Sequence, residues 1–375
     1  MIIVAPDSFK GSIGAEQVAA VVADEFRRAH PDSAVSELPL ADGGEGTVAV
    51  ACRAGMDRVS VTVSGPLGRP VTTAYARRGD EAVIELAGPA GLGLVPQPTP
   101  ATALAASTVG VGELIVHAVA AGVRRVILGL GGSATTDGGA GLAQSLGAVI
   151  TRSDQHSVDA DGGGGLGQVA AVDLTSLIER LAGVEIVLAT DVDNPLVGPD
   201  GAAAVFGPQK GADDEAVQVL DAILGQWADR LADAAGFDAR DVPGAGAAGG
   251  AAMPLLAAKV ARVEPGIEVM MGLVGFERRI PDARLLVVGE GALDQQSLRG
   301  KGPVGLARLA RSHGVEVAAI VGVNRLGQDA LVLAGIDRVY AMTDIESDQA
   351  RCIADPEPVL RLAAARAAAE TATRP

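Results

Sequence analysis

The sequence predicts an α/β protein of two domains. A discontinuous Rossmann-like domain with a parallel sheet is expected from residues 1–62 and 282–375, and an inserted α/β domain with a mixed sheet from 63–281. Three observations carry this reading. Short apolar runs alternate with segments of helical period along most of the 375 residues, the pattern of parallel strands joined by helices. The two ends of the chain repeat that pattern more closely than either resembles the middle. Residues 59–95 instead hold closely spaced β runs joined by Gly and Pro turns, as in an antiparallel meander.

Residues 2–5 read as the first strand, broken at Pro6-Asp7. A helix should begin near Gly14, with Gln17 placed to close a capping box and Val18, Val21, Val22 and Phe26 as its apolar stripe. Residues 35–40 read as the second strand, ending in Ala41-Asp42-Gly43-Gly44-Glu45-Gly46-Thr47. The meander comprises 59–63, 71–76 and 82–86. Strands at 126–129 and 185–189 follow, the first ending in a Gly-rich turn and the second in Thr190-Asp191. A long helix is expected from Asp213, because Asp214 and Glu215 suit a helix N-terminus. Val217, Leu220, Leu224, Trp227 and Leu231 keep three/four spacing along it, which puts the single tryptophan in the core. Strands at 285–288, 315–321 and 338–342 then restore the first pattern.

A formal charge of −16 and a pI near 4.7 argue against nucleic acid or an anionic membrane as partners. Cys52 and Cys352 provide neither a metal spacing nor a disulfide framework. The four histidines form no metal or triad pattern. No basic segment precedes an apolar one at the start, and no uninterrupted apolar run approaches the roughly 18 residues of a membrane span. The expectation is a cytoplasmic monomer or homodimer acting on small molecules.

In open α/β sheets ligands bind beyond the carboxyl ends of the strands. Five apolar runs end in an acid within a few residues: Asp7, Asp42, Asp137, Asp191 and Glu290. Asp294 follows Glu290 by four, so both would face one side if that loop turned into a helix. The chain has four lysines against 26 arginines, and Lys10, Lys210 and Lys301 all sit in Gly-rich segments. Lysine is a compact charge on a flexible stem, suited to a moving phosphoryl group. Gly129-Leu130-Gly131-Gly132-Ser133-Ala134 follows a strand and matches G-x-G-x-x-A; Gly244-Ala245-Gly246-Ala247-Ala248-Gly249 matches G-x-G-x-x-G without a strand before it. Such glycines let backbone N–H groups close on phosphate oxygens, or serve turns that need positive φ. Acids, lysines and glycine loops without His or Cys point to metal-assisted phosphoryl transfer. An NAD-dependent oxidoreductase is the rival, motivated by the G-x-G-x-x-A turn; a non-catalytic ligand-binding protein on the same fold is a third reading.

Several segments taken together resemble the glycerate kinase type 1 family. They are 5–12 (Ala-Pro-Asp-Ser-Phe-Lys-Gly-Ser), 41–47, 131–139, Asp191-Val192-Asp193-Asn194-Pro195-Leu196, Phe206-Gly207-Pro208-Gln209-Lys210-Gly211-Ala212, 243–250 and Gly289-Glu290-Gly291. They run in order from residue 2 to about 345. The resemblance implies phosphorylation of glycerate by ATP with Mg²⁺, at the 2-hydroxyl to give 2-phosphoglycerate, in a cleft between two domains. On this basis Asp191, Lys301, Asp42 and Lys10 are expected to be catalytic, with Asp191 and Asp42 competing for the role of base. Asp7, Ser8, Lys10, Glu45, Asn194, Glu290 and Asp294 are expected to hold the substrate. Gly131, Gly132, Ser133, Asp137, Lys210, Gly246, Gly249 and Gly250 are expected to line the nucleotide, with Lys210 on its phosphates. Asp191 and Asp193 are expected to hold the metal. The chain departs from the family at Ala292, usually a basic residue, and at Val109 and Val111, which replace polar or large residues.

Overall fold

The computed structural model describes every residue except Lys10, Asp42, 159–161, Gln296, Gly300, Lys301 and 373–375, and leaves aside the side chains of Arg299 and Ala372. The strands are β1 (Ile2–Pro6), β2 (Val35–Glu37), β3 (Asp57–Ser64), β4 (Pro70–Arg78), β5 (Glu81–Glu85), β6 (Arg125–Gly129), β7 (Val149–Thr151), β8 (Ala171–Asp173), β9 (Glu185–Ala189), β10 (Ala261–Glu264), β11 (Leu285–Leu293), β12 (Glu316–Asn324) and β13 (Arg338–Ala341). They form a five-stranded sheet, β13-β12-β11-β1-β2, parallel throughout. A six-stranded mixed sheet has the order β10-β9-β6-β5-β4-β3, parallel from β10 to β5 and antiparallel from β5 to β3. β7 and β8 make a separate antiparallel pair. The chain packs as two compact units, Met1–Asp42 with Ile267–Pro375, and Gly43–Gly266.

In the first unit β1 is buried at every position, as a parallel strand covered on both faces must be. The helix Ala15–Ala29 buries Val18, Val21, Val22 and Phe26 in a core shared with the helix Pro356–Ala372 and with β1, β11 and β12. The capping box expected with Gln17 does not form, because the N-cap position is Gly14, which has no side chain to offer. β2 is shorter than expected; Leu38 and Leu40 still donate backbone bonds to Val4 and Pro6. β11 is longer. It runs on to Leu293, paired there with Asn324, so Glu290 lies within the strand and the expected turn into a helix is absent.

His30 closes the helix Ala15–Ala29. Its Nδ1 accepts from Arg284 Nη2 at 2.9 Å, so its Nε2 carries the proton donated to Ala368 O at 3.0 Å. The ring therefore staples the carboxyl-terminal helix to the first helix in its neutral form. Burial, with Arg284 adding repulsion, lowers its pKa against the pull of the Ala368 carbonyl.

In the second unit, residues 43–62 pack with the six-stranded sheet, because β3 is hydrogen-bonded to β4 along its length. The helix Asp214–Ala235 starts where expected: Asp213 Oδ1 accepts from Ala216 N at 2.9 Å, and Gly236 ends the helix in a left-handed turn. Leu220, Leu224, Trp227 and Leu231 are buried on it. One described stretch, Pro100–Ala120, is long and apolar enough to cross a membrane, but over half of it is buried inside the fold. It is two helices, Pro100–Ala105 and Val109–Ala120. Val111 faces the core, which explains an apolar residue there.

The loops after β6 and β9 are joined by bare backbone. Gly131 N donates to Gly43 O at 3.1 Å, and a Cβ on Gly43 would lie 2.6 Å from Ala189 O. Gly249, at φ +72°, rests so closely on Thr135 O that a Cβ would collide with it.

Two outcomes follow from these contacts. Gly249→Ala should cost about 3 kcal/mol or more, adding overpacking to left-handed strain, whereas Gly183→Ala, with equally positive φ but open space, should cost only about 1–2 kcal/mol; equal shifts in urea midpoint would refute the steric assignment. For His30 the unfolded chain binds the proton more tightly than the fold, so stability falls as pH drops below the ordinary histidine value and stays flat above it. A urea series across that window, with His30→Gln as the variant lacking the slope, measures this.

Candidate active site

In the five-stranded sheet the strand order reverses direction at β1, the kind of point where open α/β sheets bind ligands. β1 has β2 on one side and β11 on the other, so loops leaving the carboxyl ends of β1 and β11 diverge and open a crevice. Asp7 and Glu290 sit there. Asp7 N donates to Gly289 O at 2.8 Å, and Asp7 Oδ1 accepts from Ser8 N at 2.6 Å, which fixes the carboxylate beside the strand end. Gly302, which precedes the helix Pro303–Ser312, lies close by: a Cβ on it would stand 4.0 Å from Asp7 Oδ2. Asp294 follows β11, its backbone N–H held by Ser297 Oγ at 3.2 Å. Asp7, Ser8, Glu290 and Asp294 are therefore brought to one edge of one sheet.

The six-stranded sheet has its own edge. Glu85, Gly129 and Ala189 stand in register at the carboxyl ends of β5, β6 and β9, so Leu130 and Thr190 begin neighbouring loops. Gly132 is exposed, and a Cβ on it would lie 3.5 Å from Glu45 Oε1. Thr190 N bonds to Glu264 O, Asp191 is half-buried and Asp193 is exposed. Asn194 is turned to structural work: its Nδ2 donates to Asp200 O at 2.8 Å and its backbone carbonyl accepts from Gly246 N. Gly131, Gly132, Glu45, Asp191 and Asp193 share this edge.

Several expected ligand residues lie inside the fold. Asp137 is wholly buried and accepts from Thr108 N, Thr108 Oγ1, Gly139 N and Gly141 N, at 2.7–3.3 Å. Burial raises its pKa, and the four donors oppose that rise. Lys210 is 2% exposed, with Nζ on Thr135 O at 2.6 Å; burial pulls its pKa down to about 7 against the attraction of Asp137. Ser133, Gly246, Gly249 and Gly250 are buried as well. The last three lack side chains because neighbouring chain fills the space: Pro195 O, Thr135 O and Leu196 respectively.

Glu85 escaped the sequence reading, although it carries the same signal as the other strand-end acids. Taking the strand to Leu86 hid it. Its Oε2 accepts from Gly46 N at 3.1 Å and Val48 N at 3.2 Å, which anchors the loop that bears Glu45. Burial raises its pKa, with Glu45 adding to the rise. Lys10, Asp42 and Lys301 lie outside the described residues. The turn after β6 does not open a helix as a dinucleotide fingerprint requires; Ser133 pairs with Gly91 and the next helix begins only at Ala140.

Comparison with known proteins covers nearly the whole chain. The glycerate kinase family matches residues 2–372. Glycerate kinase of Bacillus subtilis (strain 168) is 43% identical over 344 residues, 91% of this chain and 90% of that protein. Glycerate 2-kinase of Escherichia coli (strain K12) is 41% identical over 347 residues, with the same coverage. The crystal structure of a candidate glycerate kinase 2 from Salmonella typhimurium LT2 superposes with a TM-score of 0.81 at 39% identity, covering 99% of this chain and 97% of that one. With an α/β fold, a family match over residues 2–372 and relatives aligned over 91% of its length, the chain belongs to the glycerate kinase family.

Proposed function

We propose that this chain transfers the γ-phosphoryl group of ATP to a hydroxyl of glycerate, the 2-hydroxyl, giving 2-phosphoglycerate. The observation that best supports the reading is the edge after β6 and β9, where the loop carrying Asp191 and Asp193 starts next to the loop that brings the exposed Gly132 close to Glu45. Mg²⁺ typically takes one or two carboxylates and leaves the rest of its shell to phosphates and water. Asp191 with Asp193 meets that demand. Among the described residues no group of three His, Cys, Asp or Glu could hold a metal by protein alone. The metal, when bound with nucleotide, would neutralise charge on the transferring group.

The chain's own part is positioning and proton transfer. Asp191 or Asp42 accepts the proton of the attacking hydroxyl, and the N–H of the exposed Gly132 meets phosphate oxygens. At the other edge Asp7 and Glu290 are acceptors, so they suit glycerate's hydroxyls. Its carboxylate requires a cation, the role proposed for Lys10 or Lys301. Lys210 is not assigned to the phosphates, since its ammonium is enclosed. The five-stranded parallel sheet is taken as the Rossmann-like part.

Asp191→Asn and Lys301→Ala, assayed with ATP, Mg²⁺ and D-glycerate, should each lower turnover on the order of 10²–10³. Turnover within a few-fold of wild type in a folded variant rejects the role of that residue. Chelation should abolish activity and Mg²⁺ restore it; carbon–phosphorus coupling in the NMR spectrum of the product identifies the esterified hydroxyl. Binding of NAD(H) without binding of ATP would restore the oxidoreductase reading.

A further inference from the structure

A buried ammonium that makes its hydrogen bond to a carbonyl, not to a carboxylate, needs a reason. Lys210 ends the short turn Pro208–Lys210, and its Nζ donates to Thr135 O at 2.6 Å. Asp137 is the charged group acting on it, yet the Asp137 oxygens are already occupied by donors from Thr108, Gly139 and Gly141. Simple neutralisation of Asp137 therefore does not explain where Nζ points. Around the same segment Ala134 N donates to Ala90 O, Gly138 N to Gly249 O, and Trp227 Nε1 to Gly138 O at 2.8 Å. Residues 134–139 are thus gripped from several sides, and Thr135 is gripped by the lysine. Immediately before them lies the 131–133 turn at the sheet edge.

We propose that Lys210 is a positioning residue: by holding Thr135 O from inside the fold, it sets where the 131–133 turn presents the N–H of Gly132 to nucleotide phosphates. The inference rests on the kinase reading above and assigns that reading's lysine motif a different task. Near neutral pH the amine is part-protonated, and it donates in either charge state, so the grip does not depend on the charge. An apolar side chain of the same length would leave Thr135 O without its donor.

The test uses Lys210→Met and the double variant Lys210→Met/Asp137→Asn, which removes the carboxylate that the single change leaves buried without its cation. KM for ATP should rise about tenfold on loss of this hydrogen bond, leaving KM for glycerate unchanged. A fold merely weakened would lose active fraction, and so kcat, without that split. A folded double variant with the wild-type KM for ATP overturns the inference. Trp227, the only tryptophan, supplies a readout in the unmodified enzyme, since it bonds to Gly138 of the same segment. Its emission should change on titration with Mg-ATP. No change in an enzyme that turns over ATP and glycerate also overturns the inference, whether or not the variants fold; an enzyme with no turnover sinks the kinase reading instead.

Discussion

Close approach of bare backbone is what the carboxyl-end edge of the six-stranded sheet depends on. The loop at 43–46 lies against the ends of β6 and β9, with Gly43 O bonded to Gly131 N and no room for a side chain at Gly43, Gly129 or Gly131. A single added methyl would separate loops that arrive from distant parts of the chain. Glu85 closes the same junction from β5 through Gly46 N and Val48 N. Glu45 and Gly132 stand close together because of that junction, and Asp191 leaves β9 beside it. Glycines that look like phosphate cradles in the sequence are, at several positions, spacers between strands of backbone.

Charge inside the fold follows a similar economy. Burying an ammonium or a carboxylate alone costs several kcal/mol, so each needs hydrogen bonds or a partner of opposite sign. Asp137 has four donors and Lys210 has Thr135 O together with the field of Asp137. Both groups are thus matched to backbone and side-chain partners inside the fold. The less enclosed acids lie toward the carboxyl ends of the sheets: Asp7 and Glu290 at one and Asp191 at the other are half-buried, and Asp193 is exposed.

Much of the architecture was legible beforehand, since apolar period and turn chemistry are local properties of a segment. The β runs at 2–5, 126–129 and 185–189, the helix stripe ending at Phe26 and the long helix from Asp213 all lie where the residues predict. The mixed order of the six-stranded sheet follows from a meander feeding a parallel strand. The same local rule points to acids at strand ends: Asp7 and Asp191 do follow the ends of β1 and β9, whereas Glu290 lies inside β11, just past the level of the end of β1.

Tertiary packing decided the rest. β11 extends past its apolar run because β12 pairs with it to Asn324, which no local pattern announces. Asp137 and Asp191 each follow a strand and look alike in sequence, yet one is enclosed by donors from its own turn and from Thr108, 29 residues away, and the other is half-buried at the sheet edge. Lys210 sits in a Gly-rich turn like a surface cation, but the carbonyl that receives it belongs to Thr135, 75 residues away. Residue type and spacing determine which groups can carry charge or bend the chain; whether such a group meets solvent or interior depends on which distant backbone packs over it.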